Sequence, residues 1–230
     1  MINLKNVSKH YQLGDALVKA VDKADFSVRK GEFALIIGRS GSGKTTLLCM
    51  LDGLTKPTSG SVHIDGANIW EISEKERSLI RSNKIGFIFQ FPSLIPTLTT
   101  LDNVMLPAMF NKTKSDVYHR AVKLLKTLRL EDRLNAYPSQ LSVGQQKRVA
   151  AARALVNKPE ILLADEPTAD LDVATEKEVM QFLCKMSEEE KLTVIMVTHH
   201  LGLVEYASRV FSISNGIVRE ANKEEEISIQ

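Results

Sequence analysis

Five apolar residues, FALII (33–37), run straight into GRSGSGKT (38–45), and TLLCML (46–51) comes next without a break. No other stretch of the chain narrows the fold as far. A continuous apolar run that ends in glycine reads as a buried parallel strand, and the segment after the loop reads as a helix. The loop fits GxxxxGK followed by a hydroxyl residue, in the strand–loop–helix setting that this pattern requires. Gly41 and Gly43 permit torsions and a close approach that a Cβ would obstruct. Backbone N–H groups across Gly38, Ser40, Gly41, Ser42, Gly43, Lys44, Thr45 and Thr46 can then surround phosphate. Lys44 meets the β- and γ-phosphates, and the Thr45 hydroxyl is suited to Mg²⁺. A glycine-rich surface turn with a stray lysine would not need the flanking strand and helix.

The rest of the chain supplies the other half of that chemistry. ILLADE (161–166) carries Asp165 on an apolar strand to its carboxyl end, where α/β sheets bind ligands. Asp165 is placed to orient Mg²⁺, and Glu166 to polarise an attacking water. A second helix start lies at LSVGQQKRVAAARAL (141–155), where Ser142 can cap and Gly144 can admit a ligand to the backbone. Free N–H groups and a helix dipole attract anions there too. NKPE (157–160) nearly spells a guanine signature, but has Glu where Asp is needed and precedes a strand. ATP is the favoured nucleotide.

Organisation comes from pattern. The first 30 residues alternate as short strands, with Ile2, Leu4, Val7, Val21, Phe26 and Val28 as apolar positions. KIGFIFQ (84–90), TVIMVTH (193–199) and VFSISNGIVRE supply further strands. From about residue 91 to 149 the character is helical, and AVKLLKTLRL (121–130) sets Val122, Leu125 and Leu128 or Leu130 on one face. The expected fold class is α/β: a P-loop core of residues 1–90 and 150–230 with a mainly parallel sheet and an N-terminal antiparallel β part, and a helical subdomain inserted at about 91–149. All 230 residues form one domain, and NKEEEISIQ reads as a solvated end. A net charge of +2 lends no support to nucleic-acid binding. Cys49 and Cys184 form no CxxC pair and read as buried, reduced thiols. No signal peptide or bilayer-length apolar run is present.

With the phosphate loop, LSVGQ and LADEPTADLD in this order, the sequence resembles the ATP-binding subunit of ABC transporters over nearly its whole length. The resemblance explains why one small domain carries two anion-binding helix starts. In that family two ATPase domains pair head to tail, and each ATP lies between one P-loop and the partner's signature helix. It implies that Ser142, Gly144 and Gln145 contact the ATP held by a second copy, or by a homologous ATPase subunit. It also matches Tyr11 to the aromatic that stacks on adenine, and Gln90 to the glutamine that senses metal and water. His199 matches the histidine that contacts the γ-phosphate beside Glu166, and Asp172 the loop that signals across the dimer. His200 is read as peripheral, and His10, His63 and His119 as surface residues. One position departs from the family's usual LSGGQ: Val143 replaces a glycine, and a β-branched residue disfavours positive φ.

IGFIFQFPSLIPTLTTLDNV (85–104) narrows the likeness to ATPases of the MacB/LolD-like group, which serve lipoprotein release and macrolide, peptide or haem export. That implies an ATP- and Mg²⁺-dependent ATPase, peripheral at the cytoplasmic face of the membrane through an integral permease, with no nucleic-acid partner. A mechanical signalling ATPase of the cell-division type, acting through a permease that moves nothing, remains the alternative, with a soluble ABC ATPase behind it. Phe89, Phe91, Leu94, Ile95 and Leu98 are either lobe core or the place where a permease's coupling helix docks.

Overall fold

The computed structural model describes residues 1–110 and 116–223, so most of the expected solvated tail lies outside the described residues. In chain order the elements are β1 (Ile2–Leu13), β2 (Ala16–Val28), β3 (Phe33–Ile37), α1 (Lys44–Leu51), β4 (Ser59–Ile64) and β5 (Ala67–Asn68). Next come α2 (Glu74–Lys84), β6 (Ile85–Ile88), α3 (Thr100–Met105), α4 (Val117–Thr127), α5 (Val143–Leu155) and β7 (Ile161–Asp165). The chain continues through α6 (Val173–Glu190), β8 (Thr193–Thr198), β9 (Arg209–Ser214) and β10 (Ile217–Ala221). Short 3-10 turns include Leu106–Phe110 and Leu201–Tyr206.

The strands form two sheets. One has the order β10-β9-β3-β8-β7-β6; it is parallel apart from the β9–β10 hairpin. The other, β2-β1-β4-β5, is antiparallel. The mixed α/β architecture expected from the sequence is the one observed.

Because side chains alternate along a strand, the parallel sheet feeds two cores. Leu35, Leu162, Ala164, Val194 and Met196 point to one side, where residues of α4, α5 and α6 cover them. Ala34, Ile36, Ile161, Leu163, Ile195 and Val197 point to the other, against α1 and the antiparallel sheet. β3, β7 and β8 are buried along their whole lengths, as their unbroken apolar runs require.

Several expectations change. The boundary expected near residue 149 falls inside α5, a single uninterrupted helix whose Val149, Ala151 and Ala152 join the shared core. On α4 the buried face is Ala121, Leu124 and Leu125, while Val122 is half-buried; Leu128 and Leu130 are buried beyond the helix end. Cys49 and Cys184 are free but only half-buried. His10 and His63 are also half-buried, with His10 Nε2 3.6 Å from Asp22 Oδ1. His119 is exposed, as expected. Among the described residues no helix is long and apolar enough to cross a membrane.

Asp52, at the C-terminal end of α1, is 6% exposed. Burial pushes its carboxyl up to about 7, against the pull of the Arg81 guanidinium. The folded chain therefore keeps a proton between about pH 4 and pH 7 that the unfolded chain releases, so this residue lowers stability as pH rises through that window. Asp52→Asn should flatten that slope and raise stability at pH 8 by as much as about 4 kcal/mol, measured by urea unfolding at pH 5 and pH 8.

Candidate functional site

The parallel register brings three strand ends to one edge. Ile37 lies opposite Thr198, and Asp165 opposite Val197. The next residues, Gly38, Glu166 and His199, therefore emerge side by side. Gly38 N–H donates to the Thr198 carbonyl at 3.1 Å, and Glu166 N–H to the Val197 carbonyl at 3.0 Å.

The loop after β3 has the torsions its glycines predict, with φ 76° at Gly41 and 106° at Gly43. Gly43 caps α1 with no side chain, so no side chain occupies the N–H groups of its first turn. Lys44, 6% exposed, folds back over the loop; Nζ donates to the Gly38 carbonyl at 2.8 Å and the Arg39 carbonyl at 3.0 Å. The same ammonium lies 3.4 Å from Glu166 Oε1, and Glu166 Oε2 accepts from His199 Nδ1 at 2.9 Å. Glu166 itself sits at φ 45°, in the left-handed region that few non-glycine residues adopt.

Directly behind, Thr45 Oγ1 donates to Asp165 Oδ2 at 2.7 Å. Burial raises the Asp165 carboxyl above its ordinary range; the Thr45 bond opposes this, and the Glu166 charge adds to it. A buried carboxylate beside a hydroxyl is an all-oxygen donor pair of the kind that suits a hard cation retaining its waters. Among the described residues no cluster of three or more His, Cys, Asp and Glu side chains forms a closed metal cage, so the remaining positions would fall to water and phosphate. The Ser42 hydroxyl is buried without a hydrogen-bond partner, which fits a loop shaped for an anion.

Lys44, Thr45, Glu166 and His199 open onto a cavity of about 950 Å³ lined also by Ser40, Gly41, Gly43, Thr46 and Gln90, while Asp165, buried behind Thr45, is not among its lining residues. Gly38 and Ser42 line an adjoining hollow on the other side of the loop. Tyr11 is not among the lining residues. It pairs across the sheet with Val18, which does line the cavity, and its ring carries Lys9 Nζ 5.0 Å from the centroid.

Ser142, Gly144, Gln145 and Asp172 line neither hollow. Ser142 and Gln145 form a reciprocal capping box at the start of α5, which matches the capping role expected of Ser142. Gly144 serves internal packing: a Cβ there would lie 3.2 Å from Thr175 Cγ2 and 3.5 Å from Leu171 Cδ2. Val143 occupies the first helical position at negative φ and is exposed, so the strain expected of a β-branched residue does not arise. Asp172 caps α6, accepting from Thr175 N–H at 3.0 Å, and those bonds hold its carboxyl below the usual range. His200 is half-exposed yet paired, with Nδ1 3.0 Å from Glu176 Oε2.

Sequence reasoning missed the cavity's β2 wall, Leu17, Val18, Lys19 and Ala20, and also Arg39, Asn215 and Gly216. Arg39 lies inside the glycine-rich loop. Asn215 and Gly216, at φ 49° and 78°, form the β9–β10 turn, and an Asn-Gly pair between apolar runs is itself a hairpin signal. Three buried links were also missed. Asn103 donates to the carbonyls of Ile95, Leu98 and Thr99, and Arg153 donates to those of Pro92 and Ser93; together they shape the loop after Gln90. The ammonium of Lys147 on α5 donates to the Ala169 carbonyl, in the loop that leaves Glu166. The expected apolar patch divides: Leu94 packs on the core, Leu98 is half-buried, and Phe89, Phe91 and Ile95 are exposed.

The ABC transporter family matches residues 21–169. Across 228 residues the chain is 43% identical to an uncharacterized ABC transporter ATP-binding protein, MJ0796 of Methanocaldococcus jannaschii, with 97% of each covered. A dimeric structure of MJ0796 in a post-hydrolysis state, bound to ADP and Pi, superposes with a TM-score of 0.91 over 97% of this chain and 99% of that one. MJ1508 of the same organism is 48% identical over 97% of this chain and 100% of its own length. The macrolide export ATP-binding/permease protein MacB of Rhodopirellula baltica is 39% identical over 96% of this chain, which spans 33% of MacB.

The cradle's glycines are separable by what surrounds them. A Cβ on Gly43 would sit 1.9 Å from the Ala20 carbonyl oxygen, whereas one on Gly41 meets nothing within 4 Å. Gly43→Ala should cost at least about 3 kcal/mol and Gly41→Ala about 1 kcal/mol, read from urea-unfolding midpoints.

Proposed function

Because this chain belongs to the ABC transporter family, as an ATP-binding cassette of the MacB/LolD-like group, we propose that it binds ATP–Mg²⁺ between two head-to-tail copies and hydrolyses it to drive an integral membrane permease at the cytoplasmic face. The observation that carries this reading is the convergence of Lys44, Glu166 and His199 at the mouth of the cradle, with Thr45 and Asp165 behind them.

In this reading the Lys44 ammonium exchanges its hold on Gly38 and Arg39 carbonyls for the β- and γ-phosphates, while N–H groups at the start of α1 take the remaining oxygens. Thr45 and Asp165 would hold Mg²⁺, which would neutralise phosphate charge. Glu166, no longer tied to Lys44, accepts a proton from the attacking water, and His199 keeps the carboxylate oriented. Gln90, on the cavity wall, orients water and metal. Tyr11, beside Val18, stacks on the adenine at the cavity's outer rim.

The start of α5 meets the second ATP in trans. Ser142, Gly144 and Gln145 lie in neither hollow of their own chain, which is what a site completed by a partner copy requires. Asp172 then borders the seam between copies. The γ-phosphate holds this arrangement shut only while it is present, so hydrolysis releases it. That differential affinity is the switch.

A groove of about 540 Å³ bordered by Phe87, Phe89, Leu106, Pro107 and Phe110 supports the permease contact. It is concave and apolar, and it begins one residue from Gln90.

Glu166→Gln should reduce ATP turnover by a hundred-fold or more and yield a stable dimer on gel filtration with ATP and Mg²⁺. Adding Ser142→Ala should lower the dimer fraction. A Glu166→Gln protein that stays monomeric with ATP and Mg²⁺, or that turns over at the parent rate, would overturn the reading.

A further inference from the structure

The groove's lining includes a carboxylate on which the Arg81 guanidinium acts through charge but not through a hydrogen bond. Asp52 lines the groove, is 6% exposed, and its carboxylate has no hydrogen bond or ion pair among the described residues. Two cations share the groove, and both are engaged elsewhere. Arg81 donates to the Gly53 carbonyl at 3.2 Å and to Glu74 Oε1 at 2.6 Å. Arg153 donates to the Ser93 carbonyl at 2.8 Å and the Pro92 carbonyl at 2.7 Å. The remaining walls are largely aromatic and aliphatic, with Phe87 and Phe89 stacked at 4.3 Å between ring centroids.

A carboxyl in such surroundings is costly, and a small apolar residue would end α1 without that cost. Burial raises its proton affinity, and the Arg81 guanidinium offsets this only in part. Buried carboxylates that open into a cavity gain most from an incoming cation, because water is displaced from both charges and little screening remains.

We propose that Asp52 is the specificity point of the docking groove: it receives one lysine or arginine from the cytoplasmic segment of the permease, whose flanking apolar side chains fill the space between Phe89 and Phe110. This rests on the permease reading above and adds to it the chemistry of the segment. The apolar walls alone would accept many amphipathic helices; a buried carboxylate rejects those that present an acidic or purely apolar side chain at that point.

Three small probes of one shape test it: phenylbutylamine, phenylbutanol and phenylbutyrate. Each is titrated into the full chain and followed by amide shifts of Gly86 and Ala154, which border the groove. The amine should bind at least ten-fold more tightly than the alcohol, with the acid weakest. Asp52→Asn, which keeps the side-chain volume, should erase the preference for the amine. Equal binding of amine and alcohol, or an amine preference that survives in Asp52→Asn, would overturn the proposal. A separate arm isolates the permease reading. If the chain co-purifies with a polytopic membrane protein and Phe110→Asp abolishes that association, a failure of the amine test removes only the cation and leaves the docking groove in place.

Discussion

Lys44 stands where the ends of three parallel strands meet, and its ammonium is the charge around which that edge is arranged. Two carbonyls of the loop after β3 hold it at 2.8 and 3.0 Å, and the carboxylate just beyond β7 lies 3.4 Å away. His199, just beyond β8, grips the far oxygen of the same carboxylate. A single buried cation thereby ties three crossovers together. The ring satisfies a buried charge, which an isolated buried lysine could not do.

The apolar runs made the central sheet legible, because buried parallel strands leave an unbroken signature. The cradle, Asp165 and Glu166 were legible because their spacing is tied to strand ends. Other elements were not. Helix α2 carries no buried residue and so has no apolar stripe, although SEKE at 73–76 spells the capping box that starts it. Asn103 and Arg153 act through backbone carbonyls of a distant loop, and no local pattern announces a carbonyl partner. Gly144 reads in the sequence as an opening for a ligand, and its missing Cβ also leaves room for Leu171 and Thr175. Sequence spacing says where a small residue is required, but only packing says which neighbour requires it.

That packing matters for how two sites on one chain communicate. The start of α5 rests on the Leu171–Thr175 segment, Lys147 of the same helix holds the Ala169 carbonyl, and Asp172 caps α6 next to both. The loop from Glu166 to Asp172 is therefore fastened at one end to the strand edge and at the other to the signature helix. Glu166 and Asp170 both hold left-handed torsions within it, at φ 45° and 62°. A short, strained loop fixed at both ends has few conformations, so a change in the grip on Glu166 reaches the helix that meets the second nucleotide in the proposed dimer.

A similar economy links the groove to the nucleotide cavity. Phe89 lines the groove and Gln90 lines the cavity, so adjacent residues border two different hollows. Downstream, the chain cannot absorb a displacement freely. Arg153 fixes the carbonyls of Pro92 and Ser93 to α5, while Asn103, fully buried, fixes Ile95, Leu98 and Thr99 to α3. Upstream, Phe87 stacks against Phe89 at the end of β6. A permease segment seated on Phe89, as proposed above, would press on a residue flanked by these fixed points and adjacent to the exposed Gln90 side chain. In the proposed assembly the peptide unit joining Phe89 to Gln90 is the shortest covalent route between groove and cavity, so a displacement in one would reach the other there first.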